Sequence, residues 1–477
     1  VAAIFQGAHV HTPGSIPAPA DPGAISAAMP WLGAMMRRGR LHIAATLFVL
    51  WACPLLVAIA FITPPWTNSD EPFHMLRAVQ VAHGGMIGQR FSQRASGGLS
   101  DPSVYAAFKP VEYVAFWLSK RVTGAELAAS DAIKWRKHPA DAVFGNTEQY
   151  PPFFYIPDAM AYWAGRALGL HVNATLHLAR LFNAASFLAL SAIAIACAGR
   201  TRPLIIAVLM LPMSLALGAS ASQDAILVPI SAVVVALGDR MIGENRKPRS
   251  WEYAILAICI AMIGMARPPY GAFCLLLVQI GKPGRKAWFM AAMAGLAILI
   301  WCGLTAAFTM VPVGEADPSA QWQSLCAHPL KIFTIAYNTL LLSSTYAAEF
   351  IGRLGWNTDP LPAPYLVLAG AAVICAALAT MSGAVLRPVY PALAVAFSII
   401  SIFVLQYFDW TPPGVNRVEG VVGRYFLPLA FVAALFLPPL RGFPRARHTL
   451  YRAAIIVLGA VTPAVVVQHL VFRFYVG

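Results

Sequence analysis

The sequence predicts an all-α polytopic membrane protein with about eleven transmembrane helices and one large loop on the non-cytoplasmic side. Two observations predict it. Hydrophobic residues make up 59% of the 477 positions and charged residues only 11%, with a mean hydropathy of +0.66. Soluble domains run at about 45–50% apolar and about 25% charged, so the solvent implied here is lipid. The second observation is where the basic residues fall, which is in short turns between apolar runs.

In chain order, residues 1–36 are rich in Ala, Pro and Gly without any period, and they read as a disordered segment or an over-extended start. They do not form a signal peptide, because Arg37, Arg38 and Arg40 follow them directly before the first span. The remainder, 37–477, reads as a single transmembrane domain. Its spans lie at roughly 41–62, 177–198, 203–219, 225–242, 253–266, 270–281, 287–308, 363–381, 389–407, 425–440 and 453–472. The pair 253–266 and 270–281 is short and reads as two broken helices joined at Arg267-Pro268-Pro269, since proline removes a donor and kinks a helix.

Residues 151–170 are apolar enough to be a further span, and counting them would invert everything downstream. The charges argue against it. Without that crossing, 17 of the 34 Lys and Arg residues fall in short turns on one side. These include Arg200, Arg240, Arg387 and Arg447. Short basic turns mark the cytoplasmic side. Residues 151–170 therefore read as a helix lying in the outer interface, where Asp158, Arg166 and Trp163 suit the depth. The N-terminus is placed in the cytoplasm. A first outer loop spans 63–176 and a second outer segment spans 309–362, both facing the periplasm or exterior. Loops of this length are usually functional.

The net charge of +14 is explained by those turns meeting anionic lipid headgroups, so no nucleic-acid partner is implied. Six of the seven cysteines lie in apolar runs and only Cys326 falls in a loop. With no CxxC, neither disulfides nor a cysteine metal site is read. There is no P-loop, nucleotide-binding GxGxxG, HExxH or serine nucleophile elbow, which leaves ATP-driven transport and cytoplasmic nucleotide-sugar chemistry without support.

The residues able to carry chemistry sit at outer span ends. Asp70 and Glu71 lie eight and nine residues beyond the first span, with His74 three residues after Glu71. Carboxylates there can act as a base toward a hydroxyl or hold a divalent cation near a phosphate. Equally, Asp70 can simply start a helix over 71–82. Asp224 is the sole carboxylate between residue 159 and Asp239, and it faces the same compartment; it too can be a helix cap. Arg267, followed by Tyr270, offers a planar fork suited to phosphate, or else snorkels to the interface. Glu349 and Arg353 stand at i, i+4, a spacing that a simple helix pair also explains. Arg424-Tyr425 puts another cation at the outer surface.

Six phrases in order resemble a bacterial family of predicted membrane proteins, domain of unknown function 2142. They are Pro64-Pro65 with Asp70-Glu71-Pro72-Phe73-His74, Tyr150 to Pro157, Arg180-Leu181-Phe182-Asn183, Leu211-Pro212-Met213 with Ser220 to Asp224, Phe350 to Trp356, and Gly423 to Pro428. That family is in turn similar to the type C glycosyltransferases (GT-C), with a first outer loop bearing an acidic pair, juxtamembrane helices before the second span, and a second acid after the third. The resemblance implies a membrane glycosyltransferase of the bacterial inner membrane. The donor would be a sugar on a polyprenyl phosphate and the acceptor an envelope lipid, glycan or protein on the outer side. Asp70, Glu71 and Asp224 would be the catalytic acids. His74, Arg267, Tyr270, Glu349, Arg353, Arg424 and Tyr425 would bind substrate. The one cofactor left open is a divalent cation, with Asp70 and Asp224 as its candidate ligands. Two other readings remain on the sequence: a transporter or flippase of lipid-linked glycans, and a non-catalytic subunit of envelope assembly.

Overall fold

The computed structural model describes residues 40–476 apart from 245–247, 282–283, 313, 383–386 and 441. The expectation for 1–36 lies outside the described residues, as do Arg37, Arg38, Arg246, Lys247, Lys282 and Arg441 of the basic clusters.

Seven helices among the described residues are long and apolar enough to cross a membrane. Six of them are α1 (Arg40–Ile62), α4 (Val172–Cys197), α7 (Asp224–Gly243), α10 (Arg285–Phe308), α12 (Ala363–Thr380) and α13 (Val389–Asp409). The seventh is α15 (Pro444–Phe474). Leucines and isoleucines such as Leu50, Leu299, Ile374 and Ile456 stand exposed along them, as expected of surfaces that meet lipid rather than water.

The other four stretches read as spans are shorter or broken. Residues 203–219 divide into α5 (Arg202–Leu209) and α6 (Pro212–Gly218), because the residue before Pro212 is driven to an extended backbone. The α8 helix (Ser250–Ala266) stops before Pro268 and Pro269, a 3₁₀ turn follows over Pro268–Phe273, and α9 (Cys274–Gly281) completes the pair. Residues 425–440 begin in a 3₁₀ turn, Gly423–Phe426, and hold only the short α14 (Leu427–Ala433).

The segment 151–170 folds as a 3₁₀ turn, Pro152–Tyr155, and then α3 (Ile156–Ala167). At 12 residues and about 18 Å, α3 is well short of the hydrocarbon core of about 30 Å. It packs on α4 and on α2 (Glu71–Ala82) of the loop over 63–176. That loop also contains strands, which an all-α reading lacks. Strand β1 (Gln89–Ser92) pairs with β2 (Ala95–Ser100), and β2 pairs with β3 (Ala140–Val143), all antiparallel. Gly97 lies so close to Ala142 that a Cβ there would collide with the neighbouring strand's carbonyl. Cys326, placed in a loop from the sequence, sits in the short helix Pro318–Ala327.

The turns at one end of the bundle interlock. Arg200 donates to the carbonyls of Ala434 at 2.8 Å and Leu437 at 3.2 Å, and Arg447 donates to that of Met381 at 2.8 Å. Asp239 accepts from the backbone N–H groups of Gly199 and Thr201. Basic side chains thus cap the exposed carbonyls at the ends of α4, α12 and the segment after α14, where the helix dipole favours cations. Asp224 and Asp239 lie on the same helix 15 residues apart, or about 22 Å, so Asp224 belongs to the opposite end.

Candidate active site

At that opposite end, four charged side chains from four separate stretches form one continuous chain. The Arg424 guanidinium donates to Asp70 Oδ2 at 2.8 Å, and its Nε stands 3.9 Å from Asp224 Oδ2. Arg267 Nη2 donates to both oxygens of Asp224 at 2.9 Å. The Arg267 guanidinium also lies over the Tyr425 ring, 4.2 Å from its centroid, a desolvated cation–π contact. Tyr270 donates from its hydroxyl to the Tyr425 carbonyl at 2.7 Å, which fixes the turn that carries Arg424.

Local backbone geometry explains how Asp70 reaches this cluster. It occupies the N-cap position of α2, as the sequence suggested, but its φ is 59° and its side chain makes no capping bond. Left-handed backbone is uncommon for a side chain other than glycine, asparagine or aspartate, and such strain gathers at functional sites. Here it turns the carboxylate away from the helix toward Arg424 and toward Asn146, whose amide donates at 3.3 Å. Asp224, the first residue of α7, likewise makes a side-chain pair instead of a cap.

Glu71 goes elsewhere. It is fully buried and faces Arg180, whose Nε and Nη2 donate to its two oxygens at 2.8 and 2.7 Å. Glu71 also accepts from the backbone N–H of Trp66 and of Ala221, the latter in the turn before Asp224. Arg180 in turn donates to the carbonyls of Ala60, Thr63 and Pro64 at the end of α1. The pair pins together α1, the Asp70 loop, α4 and the Asp224 turn. Of the two adjacent acids, the Asp70 side chain keeps 24% of its exposure and Glu71 keeps none.

The remaining predicted residues divide. Glu349, on α11 (Ser343–Gly352), accepts from the Gly423 N–H at 2.8 Å and so braces the residue beside Arg424. Arg353 lies 3.6 Å from Glu349 but already belongs to a two-residue strand that pairs with Asp359–Pro360. His74 sits one turn after Asp70 and is bonded through Nδ1 to the Tyr155 hydroxyl at 2.7 Å. Asn146 and Arg180 had no assigned role in the sequence. Of these, Arg180 carried a signal, being a full charge inside an apolar run.

Charges around Asp70 oppose one another. Burial pushes its carboxyl up, but the Arg424 charge and two hydrogen bonds outweigh this and hold it below the usual range, so it is ionised at neutral pH. Burial pushes His74 down to about 4, against the pull of Asp70 and Asp224, so it is neutral in the fold. The unfolded chain binds this proton near pH 6.5 and the folded chain only near 4. Stability contributed by neutral His74 is therefore complete above pH 6.5 and falls as the pH drops toward 4, by an amount on the order of 3 kcal/mol. A His74→Gln variant should show a flatter decline of thermal midpoint across that window, and an unchanged slope would remove His74 from the account.

A divalent cation would compete with these ion pairs: both Asp224 oxygens accept from Arg267, and those of Asp70 from Arg424 and Asn146, so the two carboxylates are already balanced by two guanidinium groups. Among the described residues no group of three or more His, Cys, Asp or Glu side chains could hold a metal. What the arrangement offers is donors. Arg267 and Arg424 each keep a buried Nε with no hydrogen-bond partner. Beside Arg267 opens a cavity of about 340 Å³ between α10 and α13, with Arg267, Tyr425 and Asp409 at its wall and Met265, Ile402 and Leu405 as apolar lining.

Against known proteins, the family model described as "Predicted membrane protein (DUF2142)" matches residues 53–433. No curated protein and no solved structure matches the chain.

Proposed function

The chain belongs to the DUF2142 family of predicted membrane proteins, and from that premise together with the Asp–Arg cluster we propose that it is a membrane glycosyltransferase using a polyprenyl-phosphate sugar donor. The observation that carries the reading is the convergence of Asp70, Arg424, Asp224 and Arg267, with Arg267 on the wall of a largely apolar cavity and two buried guanidinium N–H groups without a hydrogen-bond partner. An unsatisfied buried N–H costs about 1–3 kcal/mol, and a phosphate oxygen removes that cost. Two carboxylates and two guanidinium groups sum to no net charge, so a bound phosphodiester brings the cluster to −1 and is held by its direct contacts with the two guanidinium groups.

In the proposed reaction the lipid phosphate meets Arg267 and Arg424, and the first isoprene units lie along Met265, Ile402 and Leu405. Asp70 takes the proton of an acceptor hydroxyl. The acceptor oxygen forms a bond to the anomeric carbon, and the carbon–oxygen bond to phosphate breaks with inversion, its electron pair leaving on the phosphate. Phosphate binding draws Arg424 away from Asp70, removing the charge that holds the carboxyl down and making it a better base. Glu71, Glu349 and Tyr270 are positioning residues. The same proposal includes eleven crossings in GT-C order in the bacterial inner membrane, with the basic end in the cytoplasm and the site facing outward. Charged groups gathered at one end support transfer over transport, which needs them along a path.

Lipid phosphate recognition is tested separately from chemistry. Purified protein titrated with decaprenyl phosphate should gain thermal stability, and Arg267→Gln should lose at least about tenfold in apparent affinity, a charge-assisted bond being worth about 1.5–3 kcal/mol. Equal affinity in the variant would refute the phosphate assignment.

A further inference from the structure

The second outer segment contains the helix Lys331–Leu340, and its two faces contradict each other for a chain in water. Ile335 and Thr339 point inward, and the Thr339 hydroxyl accepts from the Val418 N–H at 2.9 Å. The opposite face presents Leu330, Phe333, Tyr337, Leu340 and Leu341, each more than 60% exposed. Their spacing of three and four residues makes one continuous stripe. An apolar stripe of this size on a soluble surface marks a partner or a membrane.

Continuity with the lipid-facing bundle identifies the occupant. The helix is tied to the segment just beyond α13, through Thr339 to Val418 and Asn338 to the Asn416 carbonyl at 2.8 Å. There α13 ends with Val404, Leu405 and Trp410 exposed. Trp322, on the preceding helix, is also exposed, and its ring lies 6.3 Å from that of Phe408. Exposed Trp and Tyr beside a span end are the marks of the membrane–water interface, and Lys331 at the helix start suits the headgroup layer. We propose that Lys331–Leu340 is an interfacial helix whose apolar stripe lies on the lipid of the leaflet nearest the Asp70–Arg424 cluster, sunk roughly 5–10 Å to the headgroup–acyl boundary. The turn after it leads directly into α11, whose Glu349 holds Gly423 beside Arg424. The helix therefore sets the depth of the anion-binding turn relative to the lipid phosphates. It rests on membrane insertion and not on any transferase activity.

The test uses the full chain in nanodiscs of phosphatidylcholine and phosphatidylglycerol, with Cys326 replaced by Ser and a polarity-sensitive fluorophore attached through Phe333→Cys or Tyr337→Cys. Arg417→Cys, on an exposed outer loop, is the control. Lipids carrying a nitroxide near the headgroup should quench both stripe positions strongly and the control weakly, while lipids with the nitroxide near the chain end should quench them less. Quenching no stronger than the control means the stripe faces water or a protein and overturns the proposal. Stronger quenching by the chain-end nitroxide means a deeply inserted segment and overturns it as well. Loss of decaprenyl phosphate binding by Arg267→Gln leaves both outcomes unaffected, so the two proposals fail independently.

Discussion

Asp70→Asn is expected to abolish sugar transfer while leaving the protein folded, with a rate loss of about 10²–10⁴-fold for removal of a general base. The substitution is unusually clean. Asparagine tolerates the left-handed backbone at φ 59° almost as well as aspartate, so α2 keeps its start. Arg424 keeps Asp224 within 3.9 Å and is not abandoned in the interior. The measurement is transfer of labelled sugar from a polyprenyl-phosphate donor in membranes containing wild type or variant, with thermal midpoints recorded in parallel. A variant with near wild-type turnover would show that the proton goes elsewhere.

The residue next along the chain should behave in the opposite way. Glu71→Gln or Arg180→Met leaves one full charge in a fully buried place, and breaking such a pair costs about 3–5 kcal/mol. Either variant is expected to give poor yields of monodisperse protein and a markedly lowered thermal midpoint. The double variant, which buries no lone charge, should recover part of the loss. If Glu71→Gln alone melts with the wild type, the pair is not the brace described above. Contrasting outcomes at two neighbouring carboxylates would separate chemistry from architecture within a single dipeptide.

Asp70, Asp224, Arg267 and Arg424 are all legible in the sequence, because charges at the ends of apolar runs are few and each needs a reason. Their pairing is not legible, since Asp70 and Arg424 are 354 residues apart and no local period links them. Nor can spacing distinguish Asp70 from Glu71. That division depends on one left-handed residue and on Arg180 arriving from α4. The long spans are equally plain in composition, but a hydropathy reading averages over breaks, so α5–α6 and the turn before α14 appeared as single helices despite Pro212 and Pro428. The three short strands escaped because Gly97-Gly98 and the polar β1 carry no alternation of apolar residues.

The distance along the chain between Asp70 and its guanidinium also governs when the cluster can assemble. Ribosomes add roughly 5–20 residues per second, so the acid emerges roughly 20–70 s before its cationic partner exists. Through that interval the nascent polypeptide already holds Glu71 and, once α4 has been made, its Arg180 clasp, while Asp70 still lacks Arg424. A product ending ahead of residue 424 would therefore carry Asp70 without the guanidinium that pairs with it.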